Sequence, residues 1–444
     1  MDSITRLKQI LLIIGDIIIA YIALIITLYL RYGKLSSEVV NFHWLPFTVT
    51  FIVWLAIFYI GGLYDLRHLK NNLAFMKQWG GVLSVSFLLA IMVFYFVPGV
   101  VIEPKTNLFL FMVVFGLLSY FWRTSYNNLL SAGSPYNRIL LIGNNKTAQD
   151  VATHIEQNPQ LGYEIKFWMK DGLLDKEFEH LAQIIIANKI NIVVVPAHIK
   201  KDSRAGRAIY KNLSLGIEVA DLSEIYERIF HKIPLAELEE VWFLENLAKQ
   251  HRIYEFFKRP IEIFIATIFG LTTIPLSLLV YLFIRLASPG PAIFKQSRAG
   301  RSNQVFTIYK FRTMRLDAEK DGPKWADKDD KRVIPLGNIL RKSHLDELPQ
   351  IINILKGDLS LVGPRPERPE FNGRLSREIP YYDLRHIIRP GMTGWAQINY
   401  RYGASVQDSY EKLQYDIFYI KNRSIILDIL IAVKTLKLLF TSAK

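Results

Sequence analysis

In the stretch SHLDELPQIINILKGDLSLVGPRP, Ser343 to Pro366, two carboxylates, Asp346 and Glu347, stand side by side just ahead of Pro349. Leu348, Ile351, Ile352 and Leu355 repeat at helical spacing, and proline is tolerated near a helix start, so the pattern predicts a helix beginning close to Asp346. Both acids would then lie at the positive end of its dipole, with Arg341 and Lys342 shortly upstream, which favours their ionised forms at neutral pH. An ionised aspartate outside a salt bridge can attack phosphorus, and an adjacent glutamate can hold a hard divalent cation together with substrate phosphates. For a bare Asp-Glu pair the alternative is a helix cap plus a surface acid. The surrounding residues weigh against it.

The next segment, LSLVGPRPERPEF, uses Gly363, Pro364 and Pro366 to stiffen a turn that presents Arg365, Glu367 and Arg368. RPGMTGWAQINYR then adds Arg389, Gly391 and Gly394 in a loop whose backbone amides can approach a nucleotide. Upstream, Arg285 to Leu316 carries Arg285, Lys295, Arg298, Arg301, Lys310, Arg312 and Arg315 and no acid. VFTIYKFRTM alternates like a strand, so Lys310 and Arg312 project from one face two residues apart. Two such cations can clamp a diphosphate, although a solvated strand face shows the same spacing.

The elements that must position these groups are largely apolar. The 444 residues are 51% hydrophobic, so part of the chain lies in lipid. Lys plus Arg number 54 against 40 acidic residues, and the net charge of +14 favours anionic partners: headgroups, nucleotides or nucleic acid. The absence of cysteine excludes disulfides, thiolate metal sites and a cysteine nucleophile. Four runs are long or nearly long enough to span a bilayer: Ile10 to Leu30, Leu45 to Leu63, Gly80 to Ile102 and, rather short, Asn107 to Trp122. Arg6, Lys8, Arg67, Lys70, Lys77, Arg123 and Arg138 fall in loops on one side, which the positive-inside rule makes cytoplasmic. Asp16, inside the first run, either faces a helix neighbour or marks a transport path.

A fifth run, Ile261 to Ala287, has Pro275 at its middle and basic residues at both ends. A straight crossing would carry a strongly basic flank out of the cytoplasm, whereas a helix broken at Pro275 can dip in and return to the same face. Thr272 and Thr273 can bond backbone groups that the proline leaves free, and a proline-kinked span is the alternative. Between Asn137 and Ser223, strands RILLIG, YEIKFWMK, NIVVVP and IEVADLS alternate with helical segments, the βαβ rhythm of a parallel sheet. Its first turn, Gly143-Asn144-Asn145, keeps only the first glycine of a dinucleotide fingerprint, so a structural or regulatory domain fits better than a redox one. Tyr254 and Lys258 are spaced as in a short-chain dehydrogenase but fall in a linker beside the membrane, where chance explains them better.

Taken together, SPGPAIFKQSRAGR, YKFRTM, LDELPQIINILKGDLSLVGPRP and RPGMTGWAQ resemble the monotopic polyprenol-phosphate phosphoglycosyl transferases, the bacterial sugar transferase family, from about Lys258 to Lys444. The preceding spans and α/β segment resemble its large, multidomain branch. The resemblance implies a four-helix transmembrane bundle over residues 1–130 and a Rossmann-like α/β domain over 131–245. A linker and interfacial helix over 246–260, a re-entrant membrane helix over 261–287 and a monotopic α+β catalytic domain over 288–444 would follow. It makes Asp346 the nucleophile and Glu347 its partner, with Mg²⁺ bridging the diphosphate of a UDP-sugar and undecaprenyl phosphate as acceptor. Arg341 and Asp416 match two further family residues. The family's Ser-Pro at the helix break is here Ile274-Pro275, with Thr272 or Thr273 in place of the hydroxyl.

The reaction implied is the first membrane step of exopolysaccharide, capsule or O-antigen synthesis at the bacterial inner membrane, with membrane lipids but no nucleic acid as partners. The large branch is compatible with a homodimer. The C-terminal SIILDILIAVKTLKLLF, with Asp428, Lys434 and Lys437 on an apolar background, is predicted to lie along the interface. The competing readings are a membrane-anchored NAD-dependent sugar-nucleotide epimerase or dehydratase, and a non-enzymatic transporter or assembly scaffold.

Overall fold

The apolar runs fold as helices longer than the runs themselves. The computed structural model describes residues 3–64, 69, 71–96, 104–132, 137–170, 178–201, 203–247, 251–318, 332–334, 336–400 and 405–441. Helices α1 (Ser3–Tyr32), α2 (Ser37–Ile60), α3 (Leu73–Phe96) and α4 (Pro104–Ala132) are apolar and fit a membrane bundle. Within α1, α2 and α4 an apolar stretch is long enough to cross a bilayer, and in α3 the apolar stretch is Phe75–Ile91. The fourth run, short by sequence, belongs to a helix of 29 residues.

Aromatic rings fill the centre of the bundle, where Phe111 stacks on Phe51 and on Phe115 with centroids 5.6 Å apart in both pairs. Asp16 ion-pairs with Arg123 and accepts a hydrogen bond from Tyr64 Oη at 2.8 Å, while Arg123 also donates to the Leu63 carbonyl at 2.6 Å. Asp16 therefore faces a helix neighbour. Arg123 is not a loop charge, because α4 runs on past it and buries its guanidinium in the bundle. Arg67 and Lys70, also used for sidedness, lie outside the described residues.

After α4 come β1 (Asn137–Ile142), α5 (Lys146–Gln157), β2 (Tyr163–Met169), α6 (Leu181–Ala187), β3 (Ile192–Val195), α7 (Ser203–Lys211), β4 (Glu218–Asp221) and α8 (Leu222–Phe230). The strands pair in parallel in the order β2-β1-β3-β4. Leu140, Ile142, Val193 and Val195 pack with Leu181 and Ile185 of α6 and Ala205 and Ile209 of α7, and the alternate residues Ile139, Leu141 and Val194 are buried too. Apolar strands with both faces covered are what a parallel sheet requires. Gly143 has φ +94°, and a Cβ there would come within 2.9 Å of Pro196 Cγ. Its freedom serves a tight turn closed by Pro196, and the Asn145 side chain, where a second glycine would lie, caps α5 by accepting from the Ala148 amide at 2.9 Å.

The chain divides into two compact units, Met1–Ile225 and Tyr226–Lys444. The sequence reading extends the α/β segment to residue 245, but Ile233, Leu235, Leu238, Phe243 and Leu247 are buried with Val362, Leu375, Trp395, Leu413 and Ile417 of the second unit. A short apolar segment buries against whichever core offers area, and its local pattern does not say which.

The second unit continues with α9 (Glu240–Leu247), α10 (Arg252–Ala287) and an antiparallel hairpin of β5 (Ile293–Ala299) and β6 (Val305–Phe311). Helix α11 (Gly337–Lys342), a 3₁₀ turn at Leu345–Gln350 and α12 (Ile351–Lys356) lead to β7 (Ser360–Val362), which pairs in parallel with β8 (Gly391–Thr393). Helices α13 (Pro369–Glu378), α14 (Trp395–Asn399), α15 (Val406–Asn422) and α16 (Ile425–Thr441) complete it.

Helix α10 runs through Pro260 and Pro275 for 36 residues, so Pro275 is not the interruption expected from the sequence. A proline removes one donor, and bonding resumes on either side. The Thr272 and Thr273 hydroxyls donate to the Phe269 carbonyl, and Thr273 also to that of Gly270, just before the Leu271 carbonyl that Pro275 leaves without its amide. One stripe of α10, Tyr254, Glu262, Ala266, Val280 and Ile284, is buried, while Phe264, Leu271, Leu278, Leu282 and Leu286 are exposed.

Lys258 Nζ donates to Tyr254 Oη (2.7 Å), Tyr419 Oη (3.0 Å) and the Val362 carbonyl (2.9 Å). The Tyr254/Lys258 pair therefore ties α10 to β7 and α15, a packing role rather than hydride chemistry. Asp428 and Lys434 of α16 face inward: Asp428 accepts from Tyr254 (2.8 Å) and Tyr419 (2.7 Å), and Lys434 lies 5.3 Å from the Trp395 ring centroid. The exposed face of α16 carries Ile426 and Ile429 instead.

Candidate active site

Asp346 and Glu347 lie in the 3₁₀ turn, immediately after His344, whose φ of +56° is rare for a residue with a side chain. Helix α12 begins only at Ile351 and has six residues, so its dipole is weak and the neighbouring charges govern ionisation instead. Lys310 Nζ and Arg365 Nη2 both donate to Glu347 Oε1 at 2.8 Å. Burial opposes ionisation of Glu347, but Arg365 and Lys310 outweigh it and hold the carboxyl far below its usual range. Asp346 behaves oppositely. Burial pushes its carboxyl up, with partial relief from Lys310, and among the described residues it has no hydrogen-bond or ion-pair partner. Adjacent acids are thus driven apart, one fixed as a paired anion and the other left unpaired. Burial pulls the Lys310 ammonium below its ordinary value, against the attraction of Glu347.

The other sequence candidates take several roles. Arg312 follows the end of β6 and does not join Lys310 on one face; its guanidinium donates to the carbonyls of Pro289 (2.7 Å) and Ser288 (2.8 Å), fastening the turn that leaves α10. Arg365 is exposed beside Glu347, and Glu367 receives the Ala299 amide on its backbone carbonyl. Arg368 is buried, with its guanidinium 5.6 Å from the Phe371 ring centroid and 3.6 Å from Glu370. Arg341 ends α11 half-buried and bonds neither carboxylate of the pair. Arg389 lines a cleft whose walls include neither Asp346 nor Glu347.

Asp416 is 1% exposed. Its carboxylate lies 3.0 Å from Arg385 Nη2, and that nitrogen donates to the Arg365 carbonyl, also at 3.0 Å. Burial pushes the Asp416 carboxyl up to about 6 despite Arg385. Asp416 and Arg385 thus brace the backbone of the arginine that pairs with Glu347, and Arg298, which donates to the Pro366 carbonyl at 2.9 Å, braces the next residue. The basic run contained Arg298, but nothing local distinguished it, and Arg385 carried no signal at all.

The glycines of the RPGMTG loop serve the packing of β7 against β8. The Gly391 amide donates to the Pro364 carbonyl (2.8 Å) and the Gly363 amide to that of Thr393 (2.9 Å). A Cβ on Gly363 would lie 2.6 Å from the Arg389 carbonyl oxygen, and one on Gly394 2.2 Å from that of Gly363. Backbone cannot yield as a flexible side chain does, so Gly363→Ala is expected to cost roughly 2–3 kcal/mol and to lower the thermal midpoint of the second unit. An unchanged midpoint would mean that β7 and β8 separate easily.

Among the described residues no three His, Asp or Glu side chains converge to hold a metal. Two adjacent carboxylates are too few to cage a divalent cation, but Mg²⁺ usually takes one or two carboxylates and completes its shell with substrate phosphates and water. The donor chemistry of Asp346 and Glu347 therefore fits a magnesium ion that arrives with a diphosphate.

Comparison with known proteins places the chain in a class. The bacterial sugar transferase family matches residues 253–442. The chain is 40% identical over 250 residues to an Aeromonas hydrophila UDP-N-acetylgalactosamine-undecaprenyl-phosphate N-acetylgalactosaminephosphotransferase, covering 56% of this chain and 59% of that one. It is 30% identical over 321 residues to the UDP-glucose:undecaprenyl-phosphate glucose-1-phosphate transferase of Escherichia coli K12, covering 68% and 67%. A Rhizobium leguminosarum exopolysaccharide production protein matches at 40% over 177 residues, 38% of this chain and 88% of that one. The chain belongs to the bacterial sugar transferase family. Its matched part spans little more than half of the Aeromonas relative and about a third of a Xanthomonas campestris one, 59% and 34%.

Proposed function

We propose that this chain transfers sugar 1-phosphate from a UDP-sugar to undecaprenyl phosphate, releasing UMP and forming undecaprenyl-diphosphate-sugar. The observation that carries this reading is the divergence within the Asp346–Glu347 pair: Glu347 held by Lys310 and Arg365, Asp346 left unpaired beside them. The activities for which the Aeromonas and Escherichia relatives are named agree with it.

An Asp346 carboxylate oxygen attacks the sugar-bearing phosphorus, the bond from that phosphorus to the bridging oxygen breaks, and UMP leaves with the electron pair. A phosphate oxygen of the carrier lipid then attacks the same phosphorus and releases the aspartate. Lys310 and Arg365 keep Glu347 anionic and place positive charge where the diphosphate must lie. Mg²⁺, when bound through Asp346 and Glu347, would neutralise diphosphate charge. In this reading Arg365, Lys310, Arg341 and Arg368 face the donor, while Arg385 and Asp416 act through Arg365.

Helix α10 is read as re-entrant, with the second unit on the cytoplasmic face. The support is that segments on either side of the helix bond to each other: the Ile233 amide donates to the Gln414 carbonyl (3.1 Å), Trp395 Nε1 to the His231 carbonyl (2.8 Å), and Lys232 pairs with Glu411 (2.8 Å). A bilayer cannot separate two parts of one core. The parallel sheet is read as a Rossmann-like domain without a dinucleotide, because Pro196 and Asn145 fill its first turn.

The test is UMP release by the purified full chain with Mg²⁺, undecaprenyl phosphate and a panel of UDP-sugars. Release from one donor, matched by glycolipid, is expected; a folded protein that forms glycolipid without UMP would overturn the reading. Asp416→Asn removes the ion-pair partner of buried Arg385 and is expected to cost about 3 kcal/mol of stability. The surviving folded enzyme should show kcat reduced about tenfold, some 1.4 kcal/mol of barrier, with KM for the donor unchanged. A raised KM at constant kcat would instead put Asp416 in direct contact with substrate.

A further inference from the structure

A cleft of about 410 Å³ opens beside the first turns of α10, with Arg259, Arg301 and Arg389 among its walls. Both carboxylates that line it are committed. Glu255 pairs with Arg423 at 3.2 Å, and Glu262 accepts the Ser360 hydroxyl and the Leu361 amide and lies 3.7 Å from Lys258. Arg259 spends its guanidinium on the carbonyls of Ile354 (2.7 Å) and Leu355 (3.1 Å), and Arg301 and Arg389 bond no carboxylate among the described residues. Three guanidinium charges without an acid partner thus surround one concave volume. Like charges so arranged repel, and an anion with several acceptor oxygens relieves that repulsion while matching the guanidinium fork.

The cleft is separate from the acidic pair. None of Asp346, Glu347, Lys310 or Arg365 lines it, and Arg259 reaches the C-terminal end of α12 whereas Asp346 precedes the N-terminal end. Its depth follows from α10: Ile253 and Phe256, on its first turns, are 78% and 74% exposed, and the exposed apolar face begins at Ile261. Apolar surface just before a lipid-facing stretch, with arginines alongside, belongs at headgroup level.

We infer that this cleft binds a phosphate group, and that its depth selects the headgroup of an anionic lipid other than the reacting carrier. The inference rests on the membrane seating of α10 proposed above and not on the transfer reaction. The full chain would be reconstituted in phosphatidylcholine nanodiscs containing phosphatidylglycerol, released, and its retained lipid counted by native mass spectrometry. Wild type is expected to retain phosphatidylglycerol over phosphatidylcholine, and Arg301→Gln with Arg389→Gln to retain about tenfold less, as loss of charge-assisted contacts predicts.

A second arm adds inorganic phosphate. Displacement of retained lipid only at concentrations far above those of the lipid supports the headgroup as ligand, whereas tight phosphate binding without lipid retention would overturn the lipid source. Equal retention by wild type and variants would overturn the site itself. Arg301 is exposed, so Arg301→Glu alone keeps the test decisive if the double variant misfolds. Because lipid retention is read without turnover, its failure is distinguishable from failure of the transferase reading.

Discussion

Asp346→Asn is expected to reduce UMP release by about four orders of magnitude or more, because it removes the only atom proposed to bond the transferred phosphorus. The amide matches the carboxylate in size, and Asp346 has no partner among the described residues, so little stability should be lost. That separates chemistry from folding. With a UDP-sugar labelled in the sugar and no acceptor, wild type should carry label on the protein after quenching and the variant none. Label on both would assign the covalent step to another residue, and label on neither would favour direct transfer.

Protonation adds a second signature of the same residue. Burial raises the Asp346 pKa, so the folded protein holds this proton more tightly than the unfolded chain and the attacking carboxylate forms only above the raised value. Single-turnover donor cleavage is therefore expected to climb with pH through an inflection above the ordinary aspartate value of about 4 and then level off. Glu347 is shifted downward, so the stability from its pairing is complete above the ordinary glutamate range and is lost as pH falls through and below it. An activity inflection at or below the ordinary aspartate value would contradict the environment described for Asp346.

Glu347→Gln should act through stability as well as rate. It removes the anion shared by Lys310, whose side chain is 17% exposed, and Arg365, which is 44% exposed. Uncovering one partner of a fully buried pair costs about 3–5 kcal/mol, and the wetter Arg365 side lowers the expectation to roughly 2–3 kcal/mol. Activity should fall by about two to three orders of magnitude as the charges around the diphosphate lose their order. The control is Glu347→Gln with Lys310→Met. If Glu347 serves only packing, restoring stability this way should restore turnover; the site described here predicts a stable and still inactive protein.

Local pattern carried much of this architecture. The parallel strands read from Asn137 to Ser223 and the helical apolar runs follow from periodicities that a single segment displays. The acidic pair stood out because conformationally special residues crowd around it. What stayed hidden were partners distant in sequence. Alternation placed Lys310 and Arg312 together, but Arg312 turns to the Ser288 and Pro289 carbonyls. Gly391 and Gly394 signalled close approach of backbone, and the backbone that approaches them is that of Gly363, distant in sequence. Asp416 stood out only as a family residue, and its partner Arg385 is brought to it by the fold; the helix expected to start at Asp346 is a 3₁₀ turn there.

The bonds that join His231, Lys232 and Ile233 to Trp395, Glu411 and Gln414 also set an order of events during synthesis. The residues ahead of α10 leave the ribosome long before α15, so they must wait with their apolar side chains uncovered until α15 is made. By then α10, seated in lipid as proposed above, has already met the bilayer. Non-local closure of this kind is slow, and the exposed interval is when a chain is open to proteases and to misassembly. On that seating, insertion of α10 precedes completion of the domain to which it belongs, and the bilayer holds the place where that domain assembles.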